Sequence, residues 1–400
     1  GPFAPYTQSE RLPLYQTHAR QLVDSGKAYY CFCSKDRLTE LRTTQQANKE
    51  LPRYDKHCRN LDPQEAAQRV KDGVPHVIRL KIPLTGVTVC RDTIRGDVSF
   101  QNSGIDDQVI LKSDGYPTYH LAVVVDDHLM GITHIVRGEE WLSSSPKHIL
   151  LYEAFGWPLP IFAHLPIIRN KDHSKMSKRK NDVSILSHRD RGYLPEALNN
   201  FMGLMGWSHP EKKEIFSLLE FQKLFSLDRV TMTAPVYDLE KLDWLNGQYI
   251  RALSNKELEE RLQNFLPSDC PKKLVSKIIP LIKERLVTLK DFEQHTSFFY
   301  REIKVDPTVL HKKSNIEQVK TQLEESSQLI NKLSDSEYTV EHLEASFRSL
   351  AEENDWKPSQ FFMMLRIAVT GEKATPPLFD TFVVLGKDKV ISRLTRSTSS

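Results

Sequence analysis

The spacing of apolar side chains along this sequence changes period as the chain proceeds. In residues 10–25 apolar positions recur at Leu12, Leu14, Ala19 and Leu22, which predicts a helix with one buried face. Residues 34–48 are polar but helix-prone, and Tyr29-Tyr30-Cys31-Phe32-Cys33 lies between the two segments. From residue 76 the period falls towards two. His76-Val77-Ile78-Arg79-Leu80-Lys81-Ile82 alternates over most of its length, as does Val98-Ser99-Phe100, and Val109-Ile110-Leu111 is a short apolar run. With Gly and Asp between them, these segments predict strands joined by turns.

A strand–helix–strand unit follows. Ile132-Thr133-His134-Ile135-Val136 predicts a strand, and Ser143-Ser144-Ser145-Pro146 offers N-cap candidates and an early-turn proline for a helix over 147–155. Phe162-Ala163-His164-Leu165-Pro166-Ile167-Ile168 then predicts a second strand, the pattern of a parallel nucleotide-binding sheet. From Leu194 onward the pattern is helical. Ser254 and Glu257 have the spacing of a capping box, and helices are predicted over 272–294, 316–333, 340–354 and 359–369. The reading is a mixed α/β front half and an all-α back half.

Composition narrows this only a little. With 400 residues, 39% of them hydrophobic and 27% charged, the chain has the length of several domains with cores of their own. Apolar runs such as Leu121 to Val125 are too short to span a bilayer. Five cysteines are too few for a disulfide scaffold and point to a reducing compartment. A formal charge of +3 leaves contact with nucleic acid to local basic patches.

The sharpest chemical signal is Ser174-Lys175-Met176-Ser177-Lys178-Arg179-Lys180, which follows the second strand after a polar loop. Two lysines on a loop over a triphosphate would stabilise charge on a pyrophosphate leaving group. Read alone, the segment is a basic surface loop. Its context changes that. Lys175-Met176-Ser177-Lys178-Arg179 resembles the second signature of class I aminoacyl-tRNA synthetases. Lys112-Ser113-Asp114-Gly115-Tyr116-Pro117-Thr118-Tyr119-His120, then Val136-Arg137-Gly138-Glu139-Glu140-Trp141 and Phe162-Ala163-His164-Leu165-Pro166, are similar to the glutamyl-tRNA synthetase family. The resemblance covers essentially the whole chain.

The resemblance implies a role for each matching residue. Tyr119 and Arg137 fall on positions that hold glutamate, where an Arg fork suits a carboxylate and a phenol can donate to one. A salt bridge from Arg137 to Asp126 or Glu139 would be the purely structural alternative. Glu140, Trp141, Ile167 and Ile168 fall beside ATP, and Lys175 and Lys178 on the catalytic loop, with Lys178 also at ATP. Val123 stands where many members carry Asn, which implies fewer direct contacts to glutamate there. Asp126-Asp127 is read as structural, because in-line attack by a carboxylate needs no protein base. Cys31-X-Cys33 with Tyr54-X-X-X-Cys58 resembles the family's zinc-binding variant, against the alternative of reduced structural cysteines. Arg285, Arg366, Thr375, Pro376 and Leu378 fall on positions that meet anticodon bases.

The implied organisation is an acceptor-stem-binding insertion over 1–120 and the second half of a Rossmann catalytic domain over 121–170. The lysine loop and a stem-contact helical domain follow over 171–253, then a helical anticodon-binding region over 254–400. The implied activity is ATP-dependent activation of L-glutamate and its transfer to tRNA-Glu. ATP with Mg²⁺, and Zn²⁺ as a further metal, are the implied cofactors. No membrane partner is expected, the chain is expected to be a monomer, and the expected location is the bacterial cytoplasm, with mitochondrion or plastid as the alternative. The His-rich first signature of class I synthetases has no match. The expectation is therefore an N-terminally truncated chain with an incomplete sheet, inactive by itself. A non-catalytic tRNA-binding paralogue is the alternative, opposed by the intact pair Lys175 and Lys178.

Overall fold

The computed structural model describes residues 1–176, 184–310 and 316–398. The chain divides into two compact units, residues 1–175 with 205–212 and 223–236, and residues 176–204 with 213–222 and 237–400. The stretch 171–253, expected as one domain, is therefore shared between them.

The first unit holds seven strands and five helices of more than one turn. In chain order these are α1 (Leu12–Asp24), β1 (Ala28–Cys31), α2 (Lys35–Ala47), α3 (Pro63–Lys71), β2 (Val77–Leu80), β3 (Val87–Asp92) and β4 (Gly96–Gln101). Then come β5 (Val109–Leu111), α4 (Tyr119–Leu129), β6 (His134–Gly138), α5 (Ser145–Phe155) and β7 (Ile161–Leu165). Two sheets result, an antiparallel one in the order β1-β2-β5 and a second in the order β4-β3-β7-β6.

In the second sheet β6 and β7 are parallel neighbours joined through α5, the crossover that the hydrophobic pattern predicted. The family resemblance implied an insertion over everything before residue 121, yet β3 joins this sheet by parallel pairing of Asp92 with Phe162. Its hairpin partner β4 is antiparallel, so the sheet is mixed rather than parallel throughout. The inward residues of β3 are Thr88, Cys90 and Asp92. That face is too polar to announce itself as buried. β7 ends at Leu165 rather than at Ile168, because Pro166 has no N–H to extend the ladder.

The main core of this unit lies between α1, α4 and the three-stranded sheet, where Tyr15, Leu22, Ile78, Leu80, Ile110, Leu121 and Val125 are buried. Two carboxylates tie these layers. Asp126 accepts from Arg11 at 2.8 Å and from the Tyr15 hydroxyl at 2.7 Å, which fixes α4 against α1 and bears out a structural role for Asp126. Asp107, with no exposed surface, accepts from Tyr29 at 2.7 Å, Arg59 at 2.7 Å and the Ile82 amide at 3.1 Å. Removing one partner of such a buried ion pair costs about 3–5 kcal/mol, because the other charge is left uncompensated.

The second unit is helical. Ser254 and Glu257 form the predicted capping box at the start of the helix Asn255–Leu262. The single helix predicted over 272–294 is instead two, Lys272–Ile282 and Phe292–Tyr300, separated by short 3₁₀ turns. The break has a local cause. Asp291 accepts from the Thr288 amide at 2.7 Å, and the Thr288 side chain accepts in return, so a second capping box starts a new helix there. Arg285 consequently lies in an exposed turn rather than within a helix. Further on, Arg393 is only 1% exposed and donates to the carbonyls of Val369, Phe298 and Arg301 at 2.7, 2.7 and 2.9 Å. Its charge lies at two helix C-termini, where unpaired carbonyls favour a cation.

Candidate active site and cysteine cluster

The parallel strands β6 and β7 end side by side, and the backbone just beyond them gathers the side chains singled out by sequence. Arg137 is the penultimate residue of β6, Tyr119 opens α4, and Trp141 lies in the 3₁₀ turn Glu139–Ser144 that follows β6. The Arg137 Nη1 group donates to the Tyr119 hydroxyl at 3.4 Å, and the rings of Tyr119 and Trp141 stand 4.7 Å apart. Both rings are exposed, Tyr119 by 44% and Trp141 by 39%, so they wall an open site rather than fill a core. Glu140 folds back over Gly138, where the missing side chain leaves it room.

Arg137 has no carboxylate partner among the described residues. The two acids that could have paired with it are engaged elsewhere. Asp126 holds Arg11, and Glu139 pairs with Arg95 at 2.5 Å while accepting from the Ile167 amide at 3.2 Å. Its neighbours are instead neutral acceptors. Nε donates to His164 Nε2 at 3.0 Å, and Nη2 lies 3.3 Å from the Ser145 hydroxyl and 3.4 Å from His148 Nδ1. Behind His164, its Nδ1 stands 2.6 Å from Asp92. Behind His148, its Nε2 stands 2.9 Å from His120 Nδ1.

The protonation states follow from burial and from this network. Asp92 is pushed upward by its burial, but hydrogen bonds from His164 and from the Arg95, His164 and Ile94 amides outweigh it and keep the carboxylate ionised. Burial, and next the charge of Lys147 and Arg137, holds His120 down at about 4. His164 is lowered by burial and by Arg137, against the pull of Asp92. His148 is held down at about 2, first by burial and then by Arg137. All three imidazoles are thus neutral near pH 7, and the charge of Arg137 is not repelled by a protonated neighbour. Asp127 is pushed up to about 6 by burial and by Asp126 beside it.

Ile167 and Ile168 follow β7 and are half-buried. Lys175 is exposed on a pinned turn, in which Arg169 bridges to Lys175, Asn170 donates to the Ser174 hydroxyl at 2.9 Å, and Ser174 donates to Asp172 at 2.6 Å. Lys178 lies outside the described residues. Val123 packs against the apolar core below α4. Sequence reasoning did not single out Asp92, Ser145, His148 or His164 as site residues. Ser145 was taken as a cap candidate, yet it makes no cap and turns its hydroxyl into the site. The available signal was the spacing of Ser145 and His148, three apart on one helical face.

The sequence-distant group Cys31, Cys33, Tyr54 and Cys58 does come together. The Cys31 and Cys33 sulfurs lie 3.3 and 3.4 Å from the Tyr54 hydroxyl, and Cys33 lies 3.6 Å from Cys58. Ligands on a tetrahedral zinc at the usual bond lengths are separated by roughly 3.5 Å for sulfur to oxygen and roughly 3.8 Å for sulfur to sulfur, so the donor set fits. Three thiolates and a phenolate would carry two excess negative charges around the ion. Arg79 answers part of this, stacking 3.8 Å over the Tyr54 ring, while Arg37 lies 3.6 Å from the Cys33 sulfur with its guanidinium paired to Asp55. Against burial, which would raise it, Tyr54 and Arg79 hold the Cys31 thiol below its ordinary value.

In the second unit, Arg366 donates through Nη1 to the Thr375 hydroxyl and to the Pro376 carbonyl, the latter at 2.6 Å. Thr375 and Pro376 are buried, and Leu378 belongs to the helical core. Arg285 is exposed, and after desolvation its charge is the next influence lowering the pKa of Arg366, so the two lie near each other.

Known proteins share both the sequence and the fold that carry this geometry. The profile of the family described as tRNA synthetases class I (E and Q), catalytic domain, matches residues 2–244, and that of an anticodon binding domain matches residues 257–398. The chain is 43% identical to the glutamate–tRNA ligase of Fusobacterium nucleatum, covering 98% of this chain and 82% of that protein. It is 44% identical to the glutamate–tRNA ligase of Thermus thermophilus, with 99% and 84% covered. The crystal structure of a glutamate tRNA ligase from Elizabethkingia meningosepticum in complex with its amino acid superposes with a TM-score of 0.92 at 33% identity, covering 100% of this chain and 85% of that one.

One consequence of the imidazole cage is measurable as stability. The unfolded chain takes up a proton at residue 148 near pH 6.5, whereas in the folded chain His148 resists it down to about 2, so the unfolded state binds more protons below pH 6.5. Acid therefore destabilises the fold as pH falls through 6.5, by roughly 2 kcal/mol at pH 5 from this group. Urea unfolding at pH 7.5 and pH 5 checks this. His148→Asn should lose less stability on acidification than the unmodified protein, and an equal loss in both contradicts the assignment.

Proposed function

The chain belongs to the glutamate–tRNA ligase family of class I synthetases, and from that membership we propose how its own residues carry the family's reaction. It is an aminoacyl-tRNA ligase that activates L-glutamate with ATP to glutamyl-adenylate and passes the glutamyl group to the 3′ end of tRNA-Glu. In the first step a glutamate α-carboxylate oxygen bonds to the α-phosphorus of ATP as the bond to pyrophosphate breaks. In the second, a hydroxyl of the terminal adenosine attacks the acyl carbon and AMP leaves. The attacking carboxylate is already an anion, so no protein base is required.

Because the α-carboxylate must stay free to react, Arg137 holds the side-chain carboxylate, with the Tyr119 hydroxyl as a second donor. The observation that carries this reading is the half-buried Arg137 cation surrounded by neutral acceptors while Asp126 and Glu139 serve other arginines. ATP lies against Glu140, Trp141, Ile167 and Ile168, with Lys175 at its phosphates, and the family pattern gives Lys178 the same role of stabilising the departing pyrophosphate. Mg²⁺, when bound, adds positive charge to those same phosphates. The pinned turn leading to Lys175 supports this by giving the loop a fixed root.

Anticodon bases meet the surface near Arg285 and Arg366. The bonds of Arg366 to Thr375 and Pro376 support a positioning role, in which it shapes the turn before Leu378 while the exposed Arg285 reads a base edge. The cysteine cluster holds Zn²⁺ through Cys31, Cys33, Tyr54 and Cys58, bracing an insertion that meets the acceptor stem. Bacterial relatives support a place in bacterial or organellar translation.

Kinetics and metal content test this reading. With the family's first signature in place, charging of tRNA-Glu should show a glutamate KM raised roughly tenfold or more by Arg137→Ala, since a hydrogen-bonded ion pair is lost. Arg285→Ala should weaken discrimination against altered anticodons without changing that KM. A glutamate KM indifferent to Arg137 contradicts the substrate assignment. Elemental analysis should find about one zinc per chain, lost in Cys33→Ser/Cys58→Ser. Metal-free protein of unchanged melting temperature sinks the zinc assignment.

A further inference from the structure

We propose that Asp92 and His164 are positioning residues for glutamate recognition, acting through Arg137 by fixing which imidazole nitrogen carries the proton. The proposal rests on the reading of Arg137 as the glutamate-binding cation. Its geometry is a continuous buried line: Asp92 Oδ2 to His164 Nδ1 at 2.6 Å, then His164 Nε2 to Arg137 Nε at 3.0 Å. Asp92 is 5% exposed and His164 has no exposed surface, so water does not substitute for either partner.

Each bond in the line dictates the next. The ionised Asp92 can only accept, so the proton of the neutral imidazole is on Nδ1 and the Nε2 lone pair faces Arg137. Asp92 is itself fixed by the amides of Ile94 and Arg95, which donate to Oδ1 at 3.0 and 2.9 Å, and by the His164 amide, which donates to Oδ2 at 3.0 Å. The imidazole does a second thing: it stands between the Asp92 carboxylate and Arg137. A direct Asp–Arg pair in this place would satisfy the guanidinium and leave little of its charge for a substrate. With His164 interposed, Arg137 receives orientation from an anion without being paired to it. His148 repeats the arrangement at Nη2, presenting Nδ1 to Arg137 and Nε2 to His120.

This predicts a sharp difference between variants of similar bulk. In Asp92→Asn, the carboxamide oxygen stays with the Ile94 and Arg95 amides and takes the His164 amide, which it already meets at 3.3 Å, so the NH₂ group faces His164 Nδ1. The imidazole is driven to the opposite tautomer, and an N–H then points at the Arg137 N–H. The same tautomer effect follows when the buried Asp of a serine protease triad is changed to Asn beside its imidazole. His164→Leu removes the acceptor altogether. His164→Gln restores an acceptor oxygen near Nε2 that has no tautomer to lose.

The test is steady-state aminoacylation of tRNA-Glu by the enzyme with the family's first signature in place and by its variants, reading the KM for glutamate beside the KM for ATP, with melting temperatures as a check on folding. Asp92→Asn and His164→Leu should each raise the glutamate KM roughly ten- to hundredfold and change the ATP KM less than about threefold. His164→Gln should stay within about threefold of the unmodified enzyme, and adding Asp92→Asn to it should change little further. Equal rises in both KM values, or damage from Asp92→Asn that adds in full to His164→Gln, would overturn the relay and leave only a structural role. Should Asp92→Asn fail to fold, the Leu and Gln variants at position 164 decide the question. Arg137→Lys separates the two claims: a raised glutamate KM there beside normal values in the position 92 and 164 variants defeats the relay alone, whereas an unchanged KM defeats the reading beneath it.

Discussion

The site depends on one guanidinium, Arg137, that is half-buried and, among the described residues, paired with no acid. A buried cation normally recruits a carboxylate, because leaving it uncompensated costs several kcal/mol. Around Arg137 that recruitment is prevented residue by residue: Asp126 is held by Arg11 and Tyr15, Glu139 by Arg95, and Asp92 is separated by an imidazole. What remains is a charge oriented by neutral acceptors and facing an open wall of aromatic rings. A substrate carboxylate about 4 Å away would gain on the order of 4 kcal/mol at an effective dielectric constant near 20, a charge term a carboxamide does not receive. On the proposed reading of Arg137, specificity for glutamate follows from where the protein's own acids point.

The fold exists, in this respect, to hold that arrangement. β6 and β7 run parallel and bring Arg137 and His164 into register as direct partners. β3 then adds Asp92 from the other side of β7, through a single parallel pairing with Phe162. α5 supplies Ser145 and His148 from its first turn, with Ile149 packed against Cys90 and Phe162 to fix the helix on the sheet. The polar inner face of β3 is therefore a cost to the core that the site accounts for.

Much of this was legible in the sequence, and the parts that were not share a reason. The strand–helix–strand unit, the helical back half and the Ser254–Glu257 cap follow from apolar period and local hydrogen bonding. Tyr119, Arg137 and Trp141 were visible through their family pattern, and the structure does place them together. The membership of β3 in the catalytic sheet was not legible, because Thr88, Cys90 and Asp92 face inward where an apolar alternation would be expected. Nor was the break at Thr288, where a four-residue cap overrides a long helical period. The histidines were hidden for a different reason: a neutral, hydrogen-bonded histidine looks like any core polar residue until its partner is seen. Cys31, Cys33, Tyr54 and Cys58 were found through the family resemblance, but only the fold shows Arg79 stacked over the Tyr54 ring beside them.

The central claim is that Arg137 keeps its charge in reserve for a substrate carboxylate. It is tested most directly by following the Arg137 side-chain N–H resonances by NMR while glutamate, and separately glutamine, is added to the protein. Glutamate should shift the Nη1 and Nε signals in a saturable way, while glutamine at the same concentrations leaves them in place. Equal shifts with both amino acids, or none with either, would contradict the account.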